Sequence, residues 1–163
     1  MNQVAAPAAL ADADLELIGE HVRHLLATMG FKEATVRCQH LPPHLYIHIE
    51  AGAAGKLLIG THGAHLQALQ HIVRTIMRHT LPAGTRTVVD VNSYRARREQ
   101  DLVATAEAAA RRATTEGETI TLPPMTPADR RVIHTALANR ADVRTISIGT
   151  EPHRAVVIKP VSL

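Results

Sequence analysis

The sequence predicts an α+β protein made of two small units. Three observations carry that prediction. Segments of helical and strand period follow in the order α-β-β-(loop)-α-β-α, then β-α-β-β, without the regular βαβ alternation of a doubly wound sheet. The 163 residues suffice for one ordinary domain or two very small ones. The chain is 45% hydrophobic and 20% charged, a globular balance that rules against wholesale disorder.

Residues 1–11 are rich in Ala and Pro and are expected to be disordered. Asp12 or Asp14 can cap a helix that runs to about Met29, with Leu15, Ile18, Val22, Leu25, Leu26 and Met29 on one face and Gly30 closing it. Ala34–Gln39 and His44–Glu50 read as strands. The second alternates, with Leu45, Ile47 and Ile49 on one side and His44, Tyr46, His48 and Glu50 on the other. Leu41-Pro42-Pro43 joins them as a turn, and Ala51–Gly55 is a second turn. A short apolar piece, Leu57–Ile59, meets Gly60-Thr61-His62-Gly63. The helix after it is expected to turn Leu66, Leu69, Ile72, Val73 and Ile76 inward and to end at Leu81–Gly84.

Arg86–Asn92 is a strand. Tyr94–Thr114 is a long Arg/Ala helix that stops near Gly117, and Glu118–Leu122 is a short strand ended by Pro123-Pro124. Thr126 caps a helix with Pro127 at its first position. It should reach Asn139, with Val132, Ile133, Ala136 and Leu137 inward. Val143–Ile148 and Ala155–Ile158 form a hairpin around Gly149–Pro152.

Composition narrows the function. Phe31, Tyr46 and Tyr94 are the only Phe, Tyr or Trp residues, which argues against a nucleic-acid reader that needs a row of stacking rings. The single Cys38 excludes an internal disulfide and multi-cysteine zinc modules. No apolar run nears the roughly 20 residues of a membrane span. The start lacks a basic region followed by an apolar one, so it does not read as a secretory signal, and a reducing cytoplasm is expected. The formal charge of +3 is uneven. Residues 1–55 hold three basic and six acidic side chains. Residues 56–115 hold nine and four, net +5. Fifteen of the 18 basic residues are Arg, whose planar fork suits phosphate.

Two constellations carry chemistry. Gly60-x-x-Gly63 directly before a helix lets backbone approach a phosphodiester, while the N–H groups of the first turn and the helix dipole favour negative charge. Lys56 and Arg74 are candidates to add positive potential. Two glycines can also simply shape a tight loop. In the second constellation, Arg130 and His134 lie four apart on a helix and share a face, able to hold a phosphate and a base edge or sugar. Arg131 sits about 100° round the helix, and Arg154 belongs to the terminal hairpin. An exposed Arg with a packed His is the ordinary alternative.

The helix, two strands, Leu-Leu-Ile-Gly lead-in, Gly60–Gly63 and following helix and strand resemble a type II KH domain, whose GxxG loop clamps about four backbone nucleotides. The run Asp129-Arg130-Arg131-Val132-Ile133-His134, with Glu151-Pro152-x-Arg154-x-Val156-Val157-Ile158-Lys159-Pro160, resembles an R-3-H domain. Together residues 12–160 resemble the bacterial Jag (SpoIIIJ-associated) family, which joins a KH domain to an R-3-H domain. The expected division is residues 12–93 for the KH-like domain and 94–163 for the second.

The resemblance implies a cytoplasmic protein that binds single-stranded RNA, or single-stranded DNA. It also implies association with a small stand-alone KH protein or with itself, and a part in cell elongation or division. Three departures stand out. Many members carry a further N-terminal Jag domain, and only about eleven residues precede the first helix here. Thr61 and His62 are neutral where the family's loop is usually basic. Where an aromatic is frequent after Glu151-Pro152, this chain has His153.

The implied mechanism has the Gly60–Gly63 loop and its helix holding RNA backbone, with bases in the groove between that helix and the sheet. Arg130, His134, Arg131 and Arg154 bind a second stretch. No cofactor is expected. The eleven histidines invite a metal reading, but His44 and His48 lie about 13 Å apart along a strand, His21 and His24 lack a third partner, and no metal motif is present. The acids are too scattered for a nuclease, and no nucleophile motif occurs, so catalysis is not expected. A protein-interaction scaffold pairing through the KH-like part is the alternative.

Overall fold

The protein is described by a computed structural model covering residues 9–161. Its chain divides into two compact units, the first ending at Tyr94 and the second starting at Arg95.

The first unit opens with α1 (Asp12–Thr28). Neither Asp12 nor Asp14 occupies the cap position, which falls to Ala11. Asp14 reaches back from the third position, and its Oδ2 accepts the Ala11 N–H at 3.0 Å. Both acids therefore sit in the first turn, where the helix dipole favours them. Most of the expected disordered segment 1–11 lies outside the described residues. Its end is held: Leu10 packs on the core and its N–H donates to Nδ1 of His40 at 3.0 Å.

β1 (Thr35–Leu41) pairs antiparallel with β2 (His44–Glu50), and β2 pairs parallel with β3 (Arg86–Val91), so β2 is central. A parallel pair needs a long crossover. Residues 51–85 supply it as α2 (Gly55–Ile59) and α3 (Ala64–Met77). On one sheet face Leu45, Ile47, Ile49, Val89 and Val91 are wholly buried. All three helices bury residues in the cluster on this face: α1 through Ile18, Val22 and Leu26, α2 through Leu58, α3 through Leu66, Leu69, Val73 and Met77. Each fully buried aliphatic side chain contributes roughly 1.5–3 kcal/mol.

Three expectations are corrected. The piece before Gly60 is a helix of one turn, too short to show a period. On α3 the buried stripe runs Leu66, Leu69, Val73, Met77, which leaves Ile72 and Ile76 41% and 49% exposed. Met29 is likewise exposed, beyond the last turn of α1.

The second unit takes in most of α4 (Tyr94–Glu116), then β4 (Ile120–Thr121), α5 (Pro127–Ala136), β5 (Val143–Ile148) and β6 (Ala155–Pro160). The sheet order is β4-β6-β5, all antiparallel, with β6 central. Ala106, Ala109, Ala110 and Ala113 form a buried small-residue stripe of α4 that belongs to the same cluster as Ile133, Val156 and Ile158. Gly117, at φ +68°, follows the last residue of α4. The strand expected over 118–122 shortens to two residues, and α5 stops at Ala136 rather than Asn139. No helix among the described residues is long and apolar enough to cross a membrane.

Candidate functional site

The loop Gly60–Gly63 links α2 to α3 through backbone that only special residues adopt. Gly60 has φ +69° and ψ −176°, His62 has φ +51° and Gly63 has φ +83°. Gly60 is required sterically as well, because a Cβ there would stand 2.5 Å from Cγ of His65. His65 Nδ1–H donates to the Leu57 carbonyl at 2.7 Å, which lays its ring over the loop and ties α3 back to α2. A Cβ on Gly63 would stand 3.0 Å from Cε1 of Tyr94. Gly63 caps α3 without any side-chain hydrogen bond, and no acid lies in the first turn. Thr61 and His62 are exposed. A helix start with neither side-chain cap nor carboxylate retains its affinity for an anion.

Asn92 positions this region from the far end of β3. Its Oδ1 accepts the Ala51 N–H at 2.9 Å and its Nδ2 donates to the Gly52 carbonyl at 2.8 Å. The turn into α2 is thus fixed by a residue about 40 positions away in sequence. Sequence reading missed Asn92, Tyr94 and His65; the positive φ at Asn92 and the adjacent Ser93 has no sequence signal beyond Asn's tolerance of that region.

Lys56 is exposed on α2, four residues before Gly60. Arg74 is not part of the loop. Ten residues beyond Ala64, it lies about 15 Å along α3. There it lines a separate cleft of about 490 Å³ with His71, Arg78 and Thr87.

In the second unit Thr126 Oγ1 accepts the Asp129 N–H at 3.2 Å and caps α5, with Pro127 following. Arg130 and His134 do share the face of α5 that meets the hairpin, but neither is a free surface group. Arg130 is only 7% exposed and its Nη2 pairs with Oε1 of Glu151 in the β5–β6 turn. Its Nε is buried without a partner. His134 lies between two hydroxyls of β5, Nδ1 at 2.7 Å from Thr145 Oγ1 and Nε2 at 2.8 Å from Ser147 Oγ. Burial, and secondarily the Arg130 charge, push its pKa below the ordinary 6.5. Neutral His134 is therefore favoured, one nitrogen donating and the other accepting.

Arg131 is exposed on a different side of α5, where it lines a cleft of about 530 Å³ with Glu99, Val103 and Thr135. Arg154 is half-buried, its Nε without a partner. Asp129 is buried and bonds Arg98 at 2.9 Å. Among the described residues no group of three or more His, Cys, Asp or Glu side chains could hold a metal ion. Cys38 is half-buried; desolvation pushes its thiol up, only partly offset by Arg23.

Residues 100–160, which include this Arg-x-x-x-His helix and the hairpin, match the family model of the R-3-H domain. The chain is also similar to curated proteins named RNA-binding protein KhpB. That of Lactiplantibacillus plantarum is 42% identical over 102 residues, 63% of this chain and 32% of that protein. That of Clostridium symbiosum is 36% identical over 102 residues, 63% of this chain and 46% of that protein. That of Bacillus subtilis is 29% identical over 134 residues, 81% of this chain and 63% of that protein. The chain thus spans between about a third and just under two thirds of the length of these relatives.

Proposed function

We propose that this chain is a cytoplasmic binder of single-stranded RNA, of the Jag kind, and that its first unit works as a type II KH domain. The observation that carries the reading is the Gly60–Gly63 loop, which opens α3 in Gly-specific backbone with no side-chain cap and no acid in the first turn. The order α1-β1-β2-α2-α3-β3 supports the KH assignment. The R-3-H match and the name shared by the relatives support RNA as the ligand.

Phosphodiester oxygens accept from backbone N–H groups of the Gly60–Gly63 loop and the first turn of α3, although those of Gly63 and Ala64 are already turned toward the Gly60 and Thr61 carbonyls, and Lys56 contributes charge. In the second unit Arg131 and the accessible edge of Arg154 contact nucleic acid, while Arg130 and neutral His134 hold the hairpin that presents Arg154. Two weak sites on one chain reinforce each other by linkage. The protein has no catalytic role in this reading. The exposed Ile72 and Ile76, one turn apart on α3, favour pairing with a small KH protein or a second copy. Its cellular role is then in elongation or division, acting on transcripts.

Fluorescence anisotropy with a labelled single-stranded RNA tests the reading. Contacts to roughly 3–6 phosphates give a log K against log[salt] slope of about −2 to −4. Changing Thr61 and His62 to Asp should weaken binding by charge repulsion while the far-UV spectrum stays unchanged. Full affinity in that variant would remove the loop from the mechanism.

A further inference from the structure

The face of the first sheet opposite α1, α2 and α3 carries none of that unit's helices. Along its central strand His44, Tyr46 and His48 project together. The His44 and Tyr46 rings are stacked with centroids 5.8 Å apart and 28° between planes; Tyr46 and His48 are 6.3 Å apart at 13°. A count of Phe, Tyr and Trp overlooks this row because two of its three rings are histidines. Register places Arg86 of β3 beside His44 and Arg37 of β1 beside His48, so two cations flank the row at diagonally opposite ends. Both arginines are exposed and have no ion-pair partner among the described residues.

The geometry points to a second binding surface on this face, for single-stranded nucleic acid, with bases stacked between and beside the three rings and phosphates at Arg37 and Arg86. The spacing is the argument. Alternate residues of a strand stand about 6.6 Å apart, and stacked nucleotides are spaced about 3.4 Å. The gap between successive rings is therefore close to two stacking distances, about 6.8 Å, so a base fits after opening of about 0.5 Å between Tyr46 and His48 and about 1 Å between His44 and Tyr46. Histidine and tyrosine faces both serve as stacking platforms. The diagonal of Arg37 and Arg86 gives a backbone track across the row. Asp90 and Glu50 lie at the His48 end, so the His44–Tyr46 end, with Arg86, is the more attractive for phosphate. This surface lies apart from the Gly60–Gly63 loop, on the other side of the sheet, and does not depend on that loop being functional.

The test is anisotropy titration of the full chain with a fluorescein-labelled oligouridylate of about 12 nucleotides. Tyr46→Ala should weaken binding roughly 5- to 150-fold, the loss of one stacked base, whereas Tyr46→Phe retains it because the ring and not the hydroxyl is used. Arg86→Ala, an exposed change that leaves the fold intact, should flatten the salt slope by about 0.7. The Thr61→Asp/His62→Asp variant is run in parallel. Loss in Tyr46→Ala and Arg86→Ala with rescue by Phe supports the surface whether or not the loop variant loses affinity. Unchanged affinity in both Tyr46→Ala and Arg86→Ala overturns it, and leaves the face to a protein partner. Equal loss in Tyr46→Ala and Tyr46→Phe also overturns it, since stacking cannot explain a need for the hydroxyl.

Discussion

Replacing Gly60 by Ala tests whether the loop conformation is imposed by its surroundings. Gly60 sits at φ +69° and ψ −176°, a region of backbone open essentially to glycine, and forcing a side chain into it costs about 1–3 kcal/mol. The new Cβ would also stand 2.5 Å from Cγ of His65. The ring must move, and its 2.7 Å hydrogen bond to the Leu57 carbonyl is then lost, about 0.5–1.5 kcal/mol more. The expected total is about 2–4 kcal/mol. Gly84→Ala is the control, since φ there is +87° but nothing lies within 4 Å of the added atom. It should cost only the strain, about 1–2 kcal/mol. Urea unfolding followed by far-UV circular dichroism, with amide NMR signals assigning the transition to the first unit, measures both. His65→Ala completes a cycle: the Gly60→Ala/His65→Ala double variant should cost less than the sum of the singles by about 1 kcal/mol, because the clash is gone. Additive single costs, or Gly60→Ala no worse than Gly84→Ala, would refute the claim that His65 clamps the loop.

Two further predictions concern the second unit. Glu151 is half-exposed, yet Glu151→Ala should cost about 2–4 kcal/mol by urea unfolding, well beyond an ordinary surface acid, because it strands the buried Arg130 guanidinium, whose Nε already lacks a partner; a cost under about 0.5 kcal/mol would contradict the locked hairpin. Since the pKa of His134 is lowered in the fold, the unfolded chain takes up the proton first, so this contribution is complete above the ordinary 6.5 and is lost as pH falls below it. Urea midpoints measured across that range should therefore decline more steeply in the native protein than in His134→Gln, and parallel profiles would dismiss the effect.

Local pattern makes much of this molecule legible. The alternation of Leu45, Ile47 and Ile49 marks β2 and its buried face. Thr126-Pro127 marks the start of α5, and the GxxG spacing marks the loop. What stays hidden depends on residues far apart in sequence. Nothing near Arg130 announces Glu151, 21 residues on, so local pattern suggests an exposed phosphate fork where the structure holds a buried arginine paired with a half-exposed glutamate. Thr145 and Ser147, which hold His134, are set by β5 register. The inward face of α3 is narrower than its apolar stripe, and the margin at Ile72 and Ile76 is left in water. Arg74 is near the loop in sequence, but the 1.5 Å helical rise carries it to the other end of α3.

The central claim is that the start of α3 holds nucleic-acid backbone. Titrating the isotopically labelled chain with a short single-stranded RNA, and following its amide NMR signals, measures this directly. The account predicts that the amides from Gly60 to Leu66 shift progressively and saturably, and that added salt reverses the shifts. Saturable binding that leaves those amides unmoved would contradict it.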